Sequence, residues 1–199
     1  VKLLAVTQRV AVLPDRGERR DCLDQAWSAF LSSCGLLPVL MPNLTPVALK
    51  LCAQMNIAGL LLTGGNDLVA VGGDAPERDA TENALLDMAE QRQLPVIGVC
   101  RGMQLLQQRS GVALQRVAGH VTAHQTIDVE GVPTDANSYH GFGAFESRDP
   151  YTTWAVAQDG VIKAVRHRSL PVTGLMWHPE RTQPPAAADI ALFKRVFQT

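Results

Sequence analysis

The chain has 199 residues, 46% hydrophobic and 19% charged, enough for one ordinary globular domain that buries about 70% of its unfolded surface without disulfides or a structural metal. Its 18 Lys and Arg against 19 Asp and Glu, a net charge of -1, give no electrostatic footprint for nucleic acid or an anionic membrane, which excludes those partners. No stretch approaches the roughly 18 apolar residues of a membrane span.

The opening segment, Lys2 to Val6, is too short before Thr7-Gln8-Arg9 to serve as a signal-peptide core. From Val1 to Gly111, short apolar runs alternate with helical repeats, the pattern of a doubly wound, mostly parallel α/β sheet. Leu3 to Val6 reads as the first strand. Leu23, Ala26, Trp27, Phe30, Leu31 and Cys34 then recur at three and four residues on one helix face, with Gly35 just past its end. Leu36 to Met41 predicts a second strand, Val47 to Met55 a short helix, and Gly59 to Leu62 a third strand ending at Thr63-Gly64-Gly65. A helix carrying Ala80, Ala84, Leu85, Met88 and Ala89 leads to the strand Pro95 to Val99.

Between Gly119 and Gly174 the runs Thr126 to Val129, Trp154 to Ala157 and Val161 to Val165 are bounded by Gly, Pro or Asp, and predict antiparallel strands appended to the parallel sheet. A last strand, Val172 to Trp177, precedes Pro184-Pro185 and a helix whose Ile190, Phe193, Val196 and Phe197 face the core. With no repeat, low-complexity tract or linker, residues 1–199 read as one domain. Cys22, Cys34, Cys52 and Cys100 lack C-x-x-C spacing and fall in predicted helices or at a buried strand end. Neither a zinc site nor a disulfide framework is expected, and a reducing cytoplasm is the expected compartment.

The strongest chemical signal is Gly98-Val99-Cys100-Arg101-Gly102-Met103-Gln104, where an apolar strand turns through small residues into a helix. A sharp strand-to-helix turn lifts a nucleophile off the carboxyl edge of a sheet, and the backbone N–H groups of the helix start favour a thiolate and an oxyanion. A merely packed cysteine has no need of glycines two residues to either side. Met176-Trp177-His178-Pro179-Glu180 ends the last strand, so His178 can reach a nucleophile on a neighbouring strand while Glu180, turned by Pro179, orients the imidazole. In Leu62-Thr63-Gly64-Gly65, paired glycines after a buried strand can present an unhindered N–H to a reacting carbonyl. Taken singly, the last two patterns also describe a surface histidine and a plain turn; all three sit on the same edge of one sheet.

In this order the motifs resemble the class I glutamine amidotransferases, and Arg78-Asp79-x-x-Glu82 with Cys100-Arg101-Gly102-Met103-Gln104 resembles their γ-glutamyl hydrolase branch. The resemblance spans nearly the whole chain. It implies a cysteine hydrolase of γ-glutamyl amides working through a thioester, with no metal or cofactor. By motif, Cys100 is the implied nucleophile, His178 the base then acid, and Glu180 its orienting carboxylate. Gly65 and Arg101 are the implied oxyanion donors through their backbone N–H groups. Gln104 and the stretch Asn137-Ser138-Tyr139-His140-Gly141 match the segments that hold the glutamyl group, although His140 equally reads as a loop histidine bonded to backbone.

Thr7-Gln8-Arg9, the Arg20 to Trp27 region, Asn137 to His140 and Met176 to Arg181 further resemble small hydrolases of γ-glutamyl nucleotide phosphoramidates (γ-glutamyl-CDP-amidate) in bacterial capsule synthesis. A phosphate-bearing substrate calls for guanidinium groups near the nucleophile. Arg9, Arg20, Arg78, Arg101 and Arg181 are the candidates, each alternatively a solvated charge, and Arg78 alternatively a structural partner of Asp79 or Glu82. Three functions compete: a γ-glutamyl hydrolase, of which an aminobutyrate-releasing enzyme is one variant; a glutaminase chain passing ammonia to a partner synthase; and an inactive binding module, which Cys100, His178 and Glu180 together disfavour. The expected partner is a small γ-glutamyl substrate, and a homo-oligomer stays open.

Overall fold

The apolar runs and helical repeats of the first half alternate in the molecule as they do along the chain. A computed structural model describes residues 1–198. It gives β1 (Lys2–Val6), β2 (Arg9–Leu13), β3 (Glu18–Cys22), α1 (Ala26–Ser33), β4 (Leu36–Leu40), α2 (Thr45–Gln54), β5 (Ile57–Leu62), α3 (Pro76–Gln91), β6 (Val96–Val99) and α4 (Arg101–Arg109). There follow β7 (Gln115–Arg116), β8 (Val121–Val129), β9 (Val132–Tyr139), β10 (Phe142–Gly143), β11 (Tyr151–Ala157), β12 (Ile162–His167), β13 (Val172–Leu175) and α5 (Ala187–Phe197). Among the described residues no helix is long and apolar enough to cross a membrane.

A nine-stranded sheet runs in the order β4-β1-β5-β6-β13-β12-β11-β8-β9. Its pairs are parallel from β4 to β13 and antiparallel from β13 to β9. The β5 and β6 runs are almost wholly buried because helices cover both faces. α1 and α5 bring Trp27, Phe30, Leu31, Phe193 and Phe197 to one face, where Phe30 and Phe193 meet edge to face at 4.8 Å. α2, α3 and α4 bring Cys52, Leu85, Leu86, Met103 and Leu106 to the other. A Cβ on Gly59 would stand 2.6 Å from Phe197 Cε1, so the absent side chain lets α5 close on the sheet.

The topology makes the site. The chain leaves β1 for β4 on one side, then returns past β1 to β5, and a crevice opens at the carboxyl ends of strands where their order reverses. The register aligns Val6 with Leu61, Leu62 with Gly98, and Leu175 with Val99. The segments that continue from these strands, at Thr7, Thr63, Cys100 and Met176, therefore leave the sheet along one edge.

Four details depart from the sequence reading. The ribbon β2–β3 has no counterpart in it, because Glu18 to Cys22 is charged and lacks apolar alternation; it forms by pairing Arg9 with Cys22 through Leu13 with Glu18. Cys22 thus lies in a strand, and Leu23 precedes α1, packing against the same core from outside the helix. β9 is largely polar and exposed, and takes its strand form from its ladder with β8. β13 stops at Leu175, short of Trp177, since Pro179 opens a short helical turn over Pro179–Arg181 that draws the chain off the sheet.

Candidate active site

Cys100 stands between β6 and α4 with φ 52° and ψ -103°, a conformation that costs a non-glycine residue about 1–3 kcal/mol and is held by its surroundings. Its N–H donates to the Leu175 carbonyl at 2.6 Å and its carbonyl accepts from Gln104 N at 3.0 Å, clamping both sides of the turn. The flanking glycines are required sterically. A Cβ on Gly98 would lie 2.7 Å from the Gly102 carbonyl carbon, and one on Gly102 would lie 2.4 Å from the Leu62 carbonyl oxygen. Arg101 opens α4, so its backbone N–H has no acceptor within the helix and is available beside the sulfur.

His178 and Glu180 follow β13 and are each only 2% exposed. His178 Nδ1 donates to Glu180 Oε1 at 2.7 Å. Burial works against an imidazolium here, but hydrogen bonds to Cys100 and Glu180 and the negative charge of both outweigh it, raising His178 to about 9. Asn137 fixes the backbone beneath the ring: its Oδ1 accepts from His178 N and its Nδ2 donates to His178 O, both at 2.8 Å. A thiol beside an imidazole held by a carboxylate can give up a proton, attack a carbonyl and return the proton to a leaving nitrogen. Asn137, grouped by sequence with the glutamyl pocket, has its amide on the histidine instead.

The glycine turn after β5 is shaped from both sides. A Cβ on Gly64 would approach His178 Cε1 to 2.7 Å and Cys100 Cβ to 3.5 Å, so Gly64, unassigned from sequence, is the glycine against the Cys–His pair. Gly65 turns with φ +83°, backed by Arg9. Beneath them lies a buried network. Arg78 Nη2 donates to the carbonyls of Thr63 at 2.7 Å and Gly64 at 3.1 Å, and Nη1 to that of Gly65. Arg78 Nε and Thr7 Oγ1 both donate to Glu82 Oε1, at 2.9 and 2.7 Å, while Arg101 bonds Glu82 Oε2 and Asp79 Oδ1. Burial alone would raise the Glu82 carboxyl, yet the two guanidinium groups hold it below its ordinary value.

Gly65, Cys100, Arg101, Gln104, Tyr139 and His140 line one cavity of about 310 Å³. Gln104 Nε2 donates to the Phe142 carbonyl at 2.8 Å, which fixes the side-chain amide at the cavity wall. Cys100 Sγ is 4.0 Å from the Tyr139 carbonyl oxygen, and the Tyr139 ring meets the His178 ring edge-on at 5.9 Å. The Ser138 hydroxyl does not line this cavity: it donates to His120 O at 3.0 Å and accepts from Lys163 Nζ at 2.9 Å. Lys163, which the sequence places in a strand and gives no role, also bonds His120 Nδ1 at 2.9 Å and His140 Nε2 at 2.8 Å. Burial first, then the Lys163 charge, pushes His140 down to about 3, so its ring is neutral and its Nδ1 donates to the Phe142 carbonyl at 2.8 Å.

The five candidate arginines separate. Arg78 and Arg101 cannot serve as phosphate ligands through side chains buried in the Glu82 network. Arg20 pairs along the ribbon with Glu18, Nε to Oε2 2.6 Å. Arg9 and Arg181 remain at the site, lining with Gly64, His178 and Glu180 a second cavity of about 300 Å³. The Arg181 guanidinium lies over Tyr139, 4.9 Å from the ring centre, with Nε 3.6 Å from Glu180 Oε1.

Comparison with known proteins bears on this arrangement. The chain is similar to the γ-glutamyl-CDP-amidate hydrolase of Campylobacter jejuni, 25% identical over 185 residues, covering 89% of this chain and 90% of that one. It is also similar to a glutamine-hydrolyzing GMP synthase subunit of Methanococcus aeolicus, 25% identical, covering 76% of this chain and 79% of the relative. A glutamine amidotransferase structure from Thermotoga maritima shares the fold with TM-score 0.69 at 11% identity, over 99% of this chain and 82% of the other. The Peptidase C26 family model matches residues 2–180, and the chain belongs to that family, within the class I glutamine amidotransferase-like fold.

Proposed function

We propose that this protein is a cytoplasmic γ-glutamyl hydrolase whose triad is Cys100, His178 and Glu180, acting on a γ-glutamyl nucleotide phosphoramidate such as γ-glutamyl-CDP-amidate in capsule or surface-polysaccharide modification. The observation that carries the hydrolase reading is the clamped cysteine at the start of α4 beside an imidazole held by a buried carboxylate. In the reaction the Cys100 thiolate attacks the γ-carbonyl carbon, and backbone N–H groups of Gly65 and Arg101 receive the oxyanion. The C–N bond breaks as imidazolium His178 donates its proton to the leaving nitrogen, giving a γ-glutamyl thioester. Water then attacks the thioester with His178 taking its proton, the C–S bond breaks, and glutamate leaves with the thiolate restored. Gln104 and Tyr139 hold the glutamyl end, and Arg9 and Arg181 the phosphate of the leaving group. Similarity to the Campylobacter hydrolase supports that substrate.

Similarity to the Methanococcus GMP synthase subunit favours a second reading, an ammonia-producing component of a two-chain synthase. Product analysis separates the two. The purified chain is expected to release one glutamate and one nucleotide phosphoramidate per γ-glutamyl-CDP-amidate, with a cysteine-linked γ-glutamyl adduct visible by intact mass after rapid quench. Brisk hydrolysis of glutamine with no turnover of the nucleotide compound would replace the first reading by the second.

A further inference from the structure

A cavity of about 660 Å³ opens between α5 and the face formed by β8, β9 and β11. It shares Tyr139 with the cavity that holds Cys100 and Gln104, and Arg181 with the one beside His178. All three therefore meet at the stacked pair Arg181–Tyr139. Such a volume falls within the range of about 300–1,000 Å³ typical of small-molecule sites. Ammonia or a short aliphatic amine would leave most of it empty, so the cavity is built for something larger.

Its walls narrow the chemistry. The chain has 3 Trp, and two of them line this cavity, Trp154 and Trp177, with ring centres 5.7 Å apart and planes at 80°. A planar ring laid on one indole face would meet the edge of the other, the offset and perpendicular contacts that aromatic groups prefer. Trp177 Nε1 donates to Asp189 Oδ1 at 3.0 Å. The Trp154 N–H is buried and has no hydrogen-bond partner among the described residues, which is unusual for an indole and leaves a donor for a ligand acceptor. Burial pushes the Asp189 carboxyl up against the opposing Trp177 bond. The other two carboxylates at the cavity have partners at the surface, Glu130 with Arg166 and Asp135 with His124. Arg181 lines both this cavity and the one beside His178, with the Glu180 carboxylate 3.6 Å from its Nε.

We infer that this cavity is the leaving-group subsite and takes the base and sugar of a nucleotide, with the base against Trp154 and Trp177, an acceptor on the Trp154 N–H, and the phosphate chain on Arg181. The inference rests on the γ-glutamyl hydrolase reading and assigns its leaving group a place. Glutamyl group, scissile bond and nucleotide then lie in series through cavities that already share walls.

Two measurements on the intact protein test it. Binding of cytidine 5′-diphosphate is followed by calorimetry, with orthophosphate as the second titrant, in wild type, Trp154→Phe and Ala191→Phe. Trp154→Phe keeps a ring and removes the donor. Ala191 is an exposed α5 residue facing the groove, so Ala191→Phe fills space without disturbing the core. The diphosphate is expected to bind wild type far more tightly than orthophosphate, and each substitution to weaken it by about tenfold, the scale of one base–aromatic contact. The ratio of kcat/KM for a γ-glutamyl nucleotide phosphoramidate over γ-glutamyl-p-nitroanilide should fall by the same factor. Unchanged diphosphate binding in both variants, or orthophosphate binding equally tightly, overturns the subsite. Hydrolysis of the anilide without diphosphate binding also overturns the subsite but leaves the hydrolase standing, whereas diphosphate binding lost in Ala191→Phe without hydrolysis of any γ-glutamyl compound keeps the subsite's ligand and rejects the hydrolase.

Discussion

Arg78 grips Glu82 one helical turn away, Nε to Oε1 2.9 Å, and with its other nitrogens holds three successive carbonyls at Thr63, Gly64 and Gly65. Helix α3 thereby anchors the glycine turn that faces Cys100. Glu82→Gln would leave Arg78 and Arg101 buried without their shared counter-charge, at a cost of about 3–5 kcal/mol, seen as a large drop in melting temperature. The Glu82 carboxyl is held low in the fold, so its contribution is present above its unfolded pKa and disappears as pH falls through the folded one. Acid melts of wild type should show that loss and melts of Glu82→Gln should not. Stability equal to wild type in the variant would contradict the anchoring role.

Cys100→Ala should abolish turnover with little loss of stability. Besides its hydrogen bond with His178 the sulfur makes, among the described residues, one long hydrogen-bond contact, to the Tyr139 carbonyl at 4.0 Å, and the strained turn is clamped through its backbone. Burial pushes the thiols of Cys34 and Cys52 up, so both stay protonated at neutral pH and react slowly. An alkylating glutamine analogue should therefore modify Cys100 and spare Cys34 and Cys52, as read by peptide mass mapping. Alkylation of Cys34 or Cys52 at a comparable rate would show that the reactive thiol is another.

The parallel half of the fold and the edge carrying Cys100 and His178 are legible in the sequence because burial on both sheet faces writes itself as apolar runs, and glycines mark where the backbone must turn tightly. Leu60 to Leu62 and Val96 to Val99 are such runs. What escapes is structure made by pairing or by charge. β3 and β9 are polar strands defined by their ladders, and no periodicity reveals them. Arg78, read from sequence either as a phosphate ligand or as a structural partner of Asp79 or Glu82, is the partner of Glu82, whereas Arg101 reads as a phosphate ligand because a single sequence does not reveal that Glu82 reaches it too. Lys163 gives no signal, since His120 and Ser138, which surround it, are distant along the chain.

His178 is raised to about 9 in the fold against an ordinary 6.5. Its contribution to stability is complete below 6.5 and is lost as pH climbs through 9, so unfolding free energy should decline across that window. Removing the carboxylate in Glu180→Gln takes away one cause of the shift and should bring both the stability window and the alkaline limb of kcat/KM to lower pH. An alkaline limb that stays in place would mean another group controls it.

Lys163 governs, at one remove, the wall of the cavity that Cys100 and Gln104 line. It bonds His140 Nε2, which puts the ring proton on Nδ1 and on the Phe142 carbonyl, the same oxygen that receives Gln104 Nε2. Lys163→Met would strip His120, Ser138 and His140 of a donor, at about 1–3 kcal/mol for each buried group left unpaired. It should raise KM for γ-glutamyl substrates by more than it lowers kcat. Burial depresses Lys163 to about 8 despite the opposing charges of Asp159 and Cys100. Since the unfolded value is 10.5, the charged form is disfavoured by folding, and this group should add stability as pH rises from 8 to 10.5. The variant should lack that rise and any change of KM near pH 8. Equal effects on kcat and KM at every pH would indicate a structural role only.

Arg9 and Arg181 should differ in how selectively they act. Arg9 leans on Gly65 from the exposed ribbon, its Cδ 3.1 Å from where a glycine Cβ would be, and it bonds neither His178 nor Glu180. If it holds phosphate, Arg9→Ala removes one charge-assisted contact of about 1.5–3 kcal/mol, roughly ten- to a hundredfold in kcat/KM on the nucleotide substrate. Activity on a small γ-glutamyl amide should scarcely change, because that substrate never reaches the guanidinium. Arg181 also covers Tyr139 and approaches Glu180, so Arg181→Ala should impair both substrates, the nucleotide compound more. Arg181→Lys keeps the charge but not the flat stack or the paired N–H groups, and should recover only part of the nucleotide activity. Steady-state kinetics on the two substrates reads all three variants. Equal losses on both substrates in Arg9→Ala would mean that this arginine supports the Gly65 turn and makes no contact with a leaving-group phosphate.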